Sequence, residues 1–119
     1  MNYEMPDIIP PGVNVDVNMK IANEQWNRDP ATGAFMSWFY YKVRNRSPWD
    51  YKQQNPAWED FGNFHYGAVG TAGQLSEQLL LRAAGYAQKQ AKTQKVDHTI
   101  GAIGSGFLHT GMTLKTRGG

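Results

Sequence analysis

The sequence predicts a mainly α-helical small single domain of about four helices, with one long ordered loop rich in aromatic residues and glycine. Three observations predict it. Apolar residues recur at helical spacing in separate stretches, and the first two stretches follow residues suited to start a helix. Residues 47–73 keep no sustained period, and a loop of that length inside a domain is uncommon unless it carries function. At 119 residues, with 40% hydrophobic and 18% charged content, the chain can bury one core without staples.

In chain order, Pro6, Pro10, Pro11 and Gly12 make residues 1–14 extended or irregular. Asp16 is placed to cap a first helix over residues 17–27, with Met19, Ala22 and Trp26 on one face. Asp29-Pro30 opens a second, since Asp accepts an orphan N–H and Pro at the first helical position loses nothing. That helix runs through Phe35, Met36, Trp38, Phe39 and Val43 to about residue 45, where Lys42, Arg44 and Arg46 suit its negative end. Ser47-Pro48 stops it. After the loop, Leu75, Leu79, Leu80, Ala83, Tyr86 and Ala87 mark the buried stripe of a helix over about 74–92. Asp97 starts a last segment, residues 99–109, in which Gly101, Gly104 and Gly106 either permit close packing or break the helix. The expected folded unit is 15–112, between an irregular start and a basic tail at 113–119.

Composition narrows the chemistry. Cysteine is absent, which removes disulfides, Cys–His zinc sites and cysteine nucleophiles. His98 and His109 stand apart with no metal-ligand spacing, so no metal or other cofactor is expected. The net charge of +2 is unevenly spread, with Lys89, Lys92, Lys95, Lys115 and Arg117 against Asp97 in the last third. A solvated helix face explains those cations, and following a phosphate backbone is the alternative. No run approaches the roughly 18 apolar residues of a membrane span, and the first 17 residues lack the layout of a signal peptide.

The candidate site is the stretch Trp49-Asp50-Tyr51-Lys52 with Trp58-Glu59-Asp60-Phe61-Gly62-Asn63-Phe64-His65-Tyr66-Gly67. Burying that many ionisable groups is costly unless they are paired, and exposing that many rings stabilises nothing. Aromatic walls around a few polar groups describe a binding cleft. The candidate catalytic residues are Glu59, Asp50, Lys52, Asp97 and His65, with Trp49, Tyr51, Trp58, Asn63 and Tyr66 as substrate-binding residues. Structural roles compete: Asp50 and Lys52 as a local pair or cap, Asn63 as a turn residue, and one of Glu59 and Asp60 as a helix N-terminal charge. The glycines do not form a phosphate loop, because no Gly-Lys-Ser/Thr follows them.

Four separated blocks in order, WDYK at 49–52, FGNFHYGAVG at 61–70, LLLRAAGYAQ at 79–88 and Asp97 with Ile100 and Gly104, resemble the bacterial polymorphic toxin type 44 domain over residues 15–110. The family pattern at 61–70 is FGNFNYGATG, so this chain carries His65 and Val69 where the pattern has Asn and Thr. Trp49, Asp50, Lys52, Gly62, Asn63, Tyr66, Gly67 and Asp97 match it. The resemblance implies an effector module of a larger secreted antibacterial toxin, with a cognate immunity protein as partner.

Three functions remain open. The first is a muramidase-like hydrolase of peptidoglycan glycan in the periplasm, with Glu59 as a desolvated general acid and Asp50 or Asp97 as the second carboxylate. The second is a metal-independent ribonuclease in the target cytoplasm, using His65, Lys52, Tyr66 and Asp50, with Lys89–Lys95 along the RNA. The third is a non-enzymatic docking domain.

Overall fold

Six α-helices are present among the described residues. The structure, a computed structural model, describes the backbone of residues 5–44, 46–91 and 96–117, and the side chains of 5–44, 46–84 and 101–111. Helix α1 (Val15–Arg28) starts two residues earlier than expected, because Asn14 caps it: its Oδ1 accepts from the Val17 N–H at 3.0 Å. Asp16 sits in the first turn instead, where the helix dipole favours its charge. Helix α2 (Thr32–Val43) starts after Pro30 rather than at it, since the Ala31 N–H closes a tight turn onto the Asp29 carbonyl at 2.7 Å.

The long loop is the main correction. Residues 47–73 are mostly helical: α3 (Tyr51–Gln54), a 3-10 turn (Pro56–Trp58) and α4 (Glu59–Ala72). Asn55 caps the 3-10 turn by accepting from the Ala57 N–H at 2.9 Å, and the turn feeds directly into α4. Helix α4 shows no period because Phe61, Asn63, Phe64, His65, Gly67, Ala68, Val69, Gly70 and Ala72 are all buried, leaving little polar face to alternate with. Helices α5 (Glu77–Ala91) and α6 (Val96–Arg117) complete the fold, so there are six helices where about four were expected.

Helix α4 is the centre, packed most extensively against α6 and also against α1, α3 and α5. Its three glycines cost about 1 kcal/mol each against alanine in a helix. Burial of Phe61, Phe64 and Val69, all fully buried, returns about 1.5–3 kcal/mol apiece, so packing wins. Two glycines fix the crossing with α6. A Cβ on Gly67 would overlap the Ile103 carbonyl oxygen, and one on Gly106 would overlap the Phe64 carbonyl oxygen, so backbone lies against backbone from both sides. Polar ties reinforce the crossings: the Thr110 hydroxyl donates to the Ala68 carbonyl at 2.6 Å, and Asn23 Nδ2 donates to the Ala72 carbonyl at 3.0 Å. His109 Nε2 lies 3.0 Å from Asp16 Oδ1, joining α6 to α1. No helix among the described residues is long and apolar enough to cross a membrane.

Candidate functional site

A cleft of about 700 Å³ opens between α2 and α5 on one side and the Trp49–Asn63 region on the other. It brings together Trp49, Asp50, Tyr51, Lys52, Glu59, Asn63 and Tyr66 from the stretch nominated by sequence. The irregular turn before α3 positions Asp50. Arg46 adopts φ 65°, which turns its N–H onto Asp50 Oδ2 at 2.8 Å. Asp50 is therefore buried and oriented, and it caps that turn rather than α3, from which it receives no side-chain bond. Lys52, the next residue but one, is exposed at the cleft wall, and α3 packs on α4 with the Lys52 backbone nitrogen 3.4 Å from where a Cβ on Gly62 would stand.

Helix α4 supplies the other polar groups. Glu59 and Asp60 both lie in its first turn; Glu59 is partly buried and lines the cleft, while Asp60 is exposed. Asn63, one turn along, is 7% exposed. Tyr66 follows, but its hydroxyl donates to the Leu80 carbonyl at 2.9 Å and its ring stacks on Phe39 with centroids 5.5 Å apart. Burial pushes the Tyr66 phenol up to about 12, so it stays protonated and ties α4 to α5.

His65 is not at the cleft. It is fully buried, with Trp49, Tyr51 and Phe61 rings at 4.9, 5.1 and 5.6 Å from its own. Its Nε2 lies 2.9 Å from the side-chain amide of Asn18, which orients the ring. Burial lowers its pKa to about 3. A neutral ring walled in by other rings cannot exchange protons with a ligand, which removes it from the acid–base roles. Burial likewise raises the Tyr51 phenol, partly offset by its hydrogen bond with Asn18. Trp58 packs against the core and does not line the cleft. The side chains of Asp97, Lys89, Lys92 and Lys95 lie outside the described residues, as do those of Lys115, Arg117 and His98.

Half of the cleft was not anticipated. Met36, Phe39 and Val43 of α2, with Leu79 and Leu80 of α5 and nearby Leu75, form an apolar wall. The signal was present in Ala34-Phe35-Met36 and Trp38-Phe39-Tyr40-Tyr41, interrupted only by Ser37, which is more apolar surface than one buried face can use. Arg44 lines the cleft and lies 4.7 Å from the Tyr41 ring, while Lys42 Nζ sits 5.3 Å from the ring of Trp49, which also lines it. No cluster of three or more His, Asp or Glu side chains that could hold a metal ion occurs among the described residues.

What this arrangement can do is bind a ligand of mixed polarity, with rings and aliphatic groups on one side and two carboxylates, a lysine and an amide on the other. No curated protein and no solved structure matches the chain. The family model for bacterial toxin 44 matches residues 17–111, from α1 into α6 and across every residue that lines the cleft. The chain belongs to the bacterial toxin 44 family.

Proposed function

We propose that this toxin domain hydrolyses the glycan strands of the bacterial cell wall, with Glu59 and Asp50 as its working carboxylates. The observation that carries the reading is their presence in one cleft with Trp49 and Asn63. Glycoside cleavage uses one carboxylic acid to protonate the leaving oxygen and a second carboxylate to receive the sugar's developing positive charge or to activate water. Glu59, partly buried, takes the first role. Asp50, held by the Arg46 amide, takes the second, because its orientation is fixed before substrate arrives. The glycosidic C–O bond breaks as the proton moves to the leaving sugar, and water completes the other half.

The second reading is cleavage of RNA in the target cytoplasm, favoured by Lys52 and Arg44 at the cleft, which suit a phosphate. With His65 sealed in the core, that chemistry would have to run on Asp50 or Glu59 as the base.

Expression in a sensitive bacterium, once in the cytosol and once with a periplasmic signal, separates the two. Killing only from the periplasm, with release of soluble wall fragments and loss of killing in Glu59→Gln and Asp50→Asn, is the expected result. Killing only from the cytosol with intact envelopes overturns it. As a toxin, the domain calls for delivery into target cells and for an immunity protein that protects its maker. We place that protein over the cleft, and a complex that leaves Trp49 fluorescence unchanged would sink this placement.

A further inference from the structure

The cleft contains one polar group that the protein itself does not satisfy. Asn63 is 7% exposed, and its Nδ2 is buried without a hydrogen-bond partner among the described residues. Unpaired buried polar atoms are rare in folded proteins and need a reason. The other two such atoms, His65 Nδ1 and Thr71 Oγ1, belong to residues that do not line the cleft, whereas Asn63 does.

Helix α4 fixes what stands beside it. Glu59, Asn63 and Tyr66 all line the cleft and follow one another at spacings of four and three, so they form a row along one helix face. At 1.5 Å rise per residue, the Asn63 backbone lies about 6 Å along the axis from that of Glu59, about the span of one sugar ring. The Tyr66 hydroxyl is already committed to the Leu80 carbonyl, so the free donor in the row is Asn63. Met36 and Leu79 line the same cleft and offer it only hydrocarbon. A sugar hydroxyl could take the Asn63 N–H but would bring nothing to match the hydrocarbon of Met36 and Leu79. A carbonyl bearing a methyl group satisfies both sides: the oxygen takes the amide N–H and the methyl meets the aliphatic wall.

We propose that Asn63 is a specificity residue whose Nδ2 donates to the acetamido carbonyl of an N-acetylated amino sugar held one ring from Glu59. This rests on the glycan reading of the same cleft. Because Nδ2 is itself buried, the donor meets a ligand only when the carboxamide turns about its last torsion, which sends its oxygen to the buried position.

The test uses the full chain carrying Glu59→Gln to suppress turnover. It is titrated with N-acetylchitotetraose and with cellotetraose, a neutral glucan of equal length that lacks the acetamido groups, by calorimetry and by tryptophan fluorescence. N-acetylchitotetraose should bind at least about tenfold more tightly, the loss expected when a buried donor is left unpaired. Adding Asn63→Leu should bring the ratio to about one. If circular dichroism shows that variant unfolded, Asn63→Asp, which keeps the shape and removes the donor, replaces it. Equal binding of the two tetraoses overturns the role of Asn63 and leaves the glycan reading standing. A preference that survives both substitutions does the same. Failure of both sugars to bind overturns both readings.

Discussion

Acidification should destabilise this domain through His65, and substituting that residue should remove the effect. In the folded protein His65 is sealed among rings and its pKa is lowered to about 3, whereas in the unfolded chain it returns to the ordinary histidine value of 6.5. Between those values the unfolded chain binds a proton that the folded one excludes, so stability falls as pH falls through that window and is fully present above it. From about pH 7 to about pH 4.5 the loss is about 2.5 kcal/mol, a large part of the margin of a small domain. Asn is the substitution of choice because it is polar and does not titrate in this range. The smaller side chain leaves a void worth about 1–2 kcal/mol at neutral pH. Urea unfolding of both proteins, followed by tryptophan fluorescence, gives the two stability curves. Differencing them cancels the carboxylates they share, so the gap between them should close and then reverse on acidification. Curves that stay parallel would refute the argument, because His65 would then be charged or hydrated in the folded state.

Other perturbations have opposite signs at neighbouring positions. Gly67→Ala drives a methyl into the Ile103 carbonyl and should cost about 3 kcal/mol or more, while Gly101→Ala, in the same pair of helices but with nothing within 4 Å, should gain about 0.5–1 kcal/mol, both read by thermal melting. Gln74 adopts φ 72° just after α4, so Gln74→Gly should raise the urea midpoint by about 1 kcal/mol of stability. Tyr66→Phe removes the bond to the Leu80 carbonyl and should lower stability by about 1 kcal/mol without reducing toxicity, since that hydroxyl has no free proton to offer.

Helices α1, α2 and α5 were legible because each keeps a solvent face, so their apolar residues repeat and their ends carry turn chemistry. Helix α4 was not. A helix contacted on most sides has no polar stripe, and its Gly62, Gly67 and Gly70 read as loop residues when two of them instead admit another helix. The polar side of the cleft was visible in sequence because Asp50, Lys52, Glu59 and Asn63 lie within fourteen residues among rings. Its apolar wall was hidden, since Leu79 and Leu80 look the same whether they fill a core or face a ligand. Nor does sequence distinguish a histidine at a cleft from one beneath it: Asn18, the partner that fixes His65, lies 47 residues away.

The paired close approach of Gly67 and Gly106 bears on when the toxin becomes dangerous. Fourteen residues containing three glycines do not hold a helix alone. The row of Glu59, Asn63 and Tyr66 therefore exists only after a segment some forty residues further along the chain has come back to brace it. While the polypeptide is an unfolded thread, as it is on the ribosome, the cleft does not exist. Order of synthesis thus adds a safeguard for the producing cell that operates before any protein inhibitor can bind.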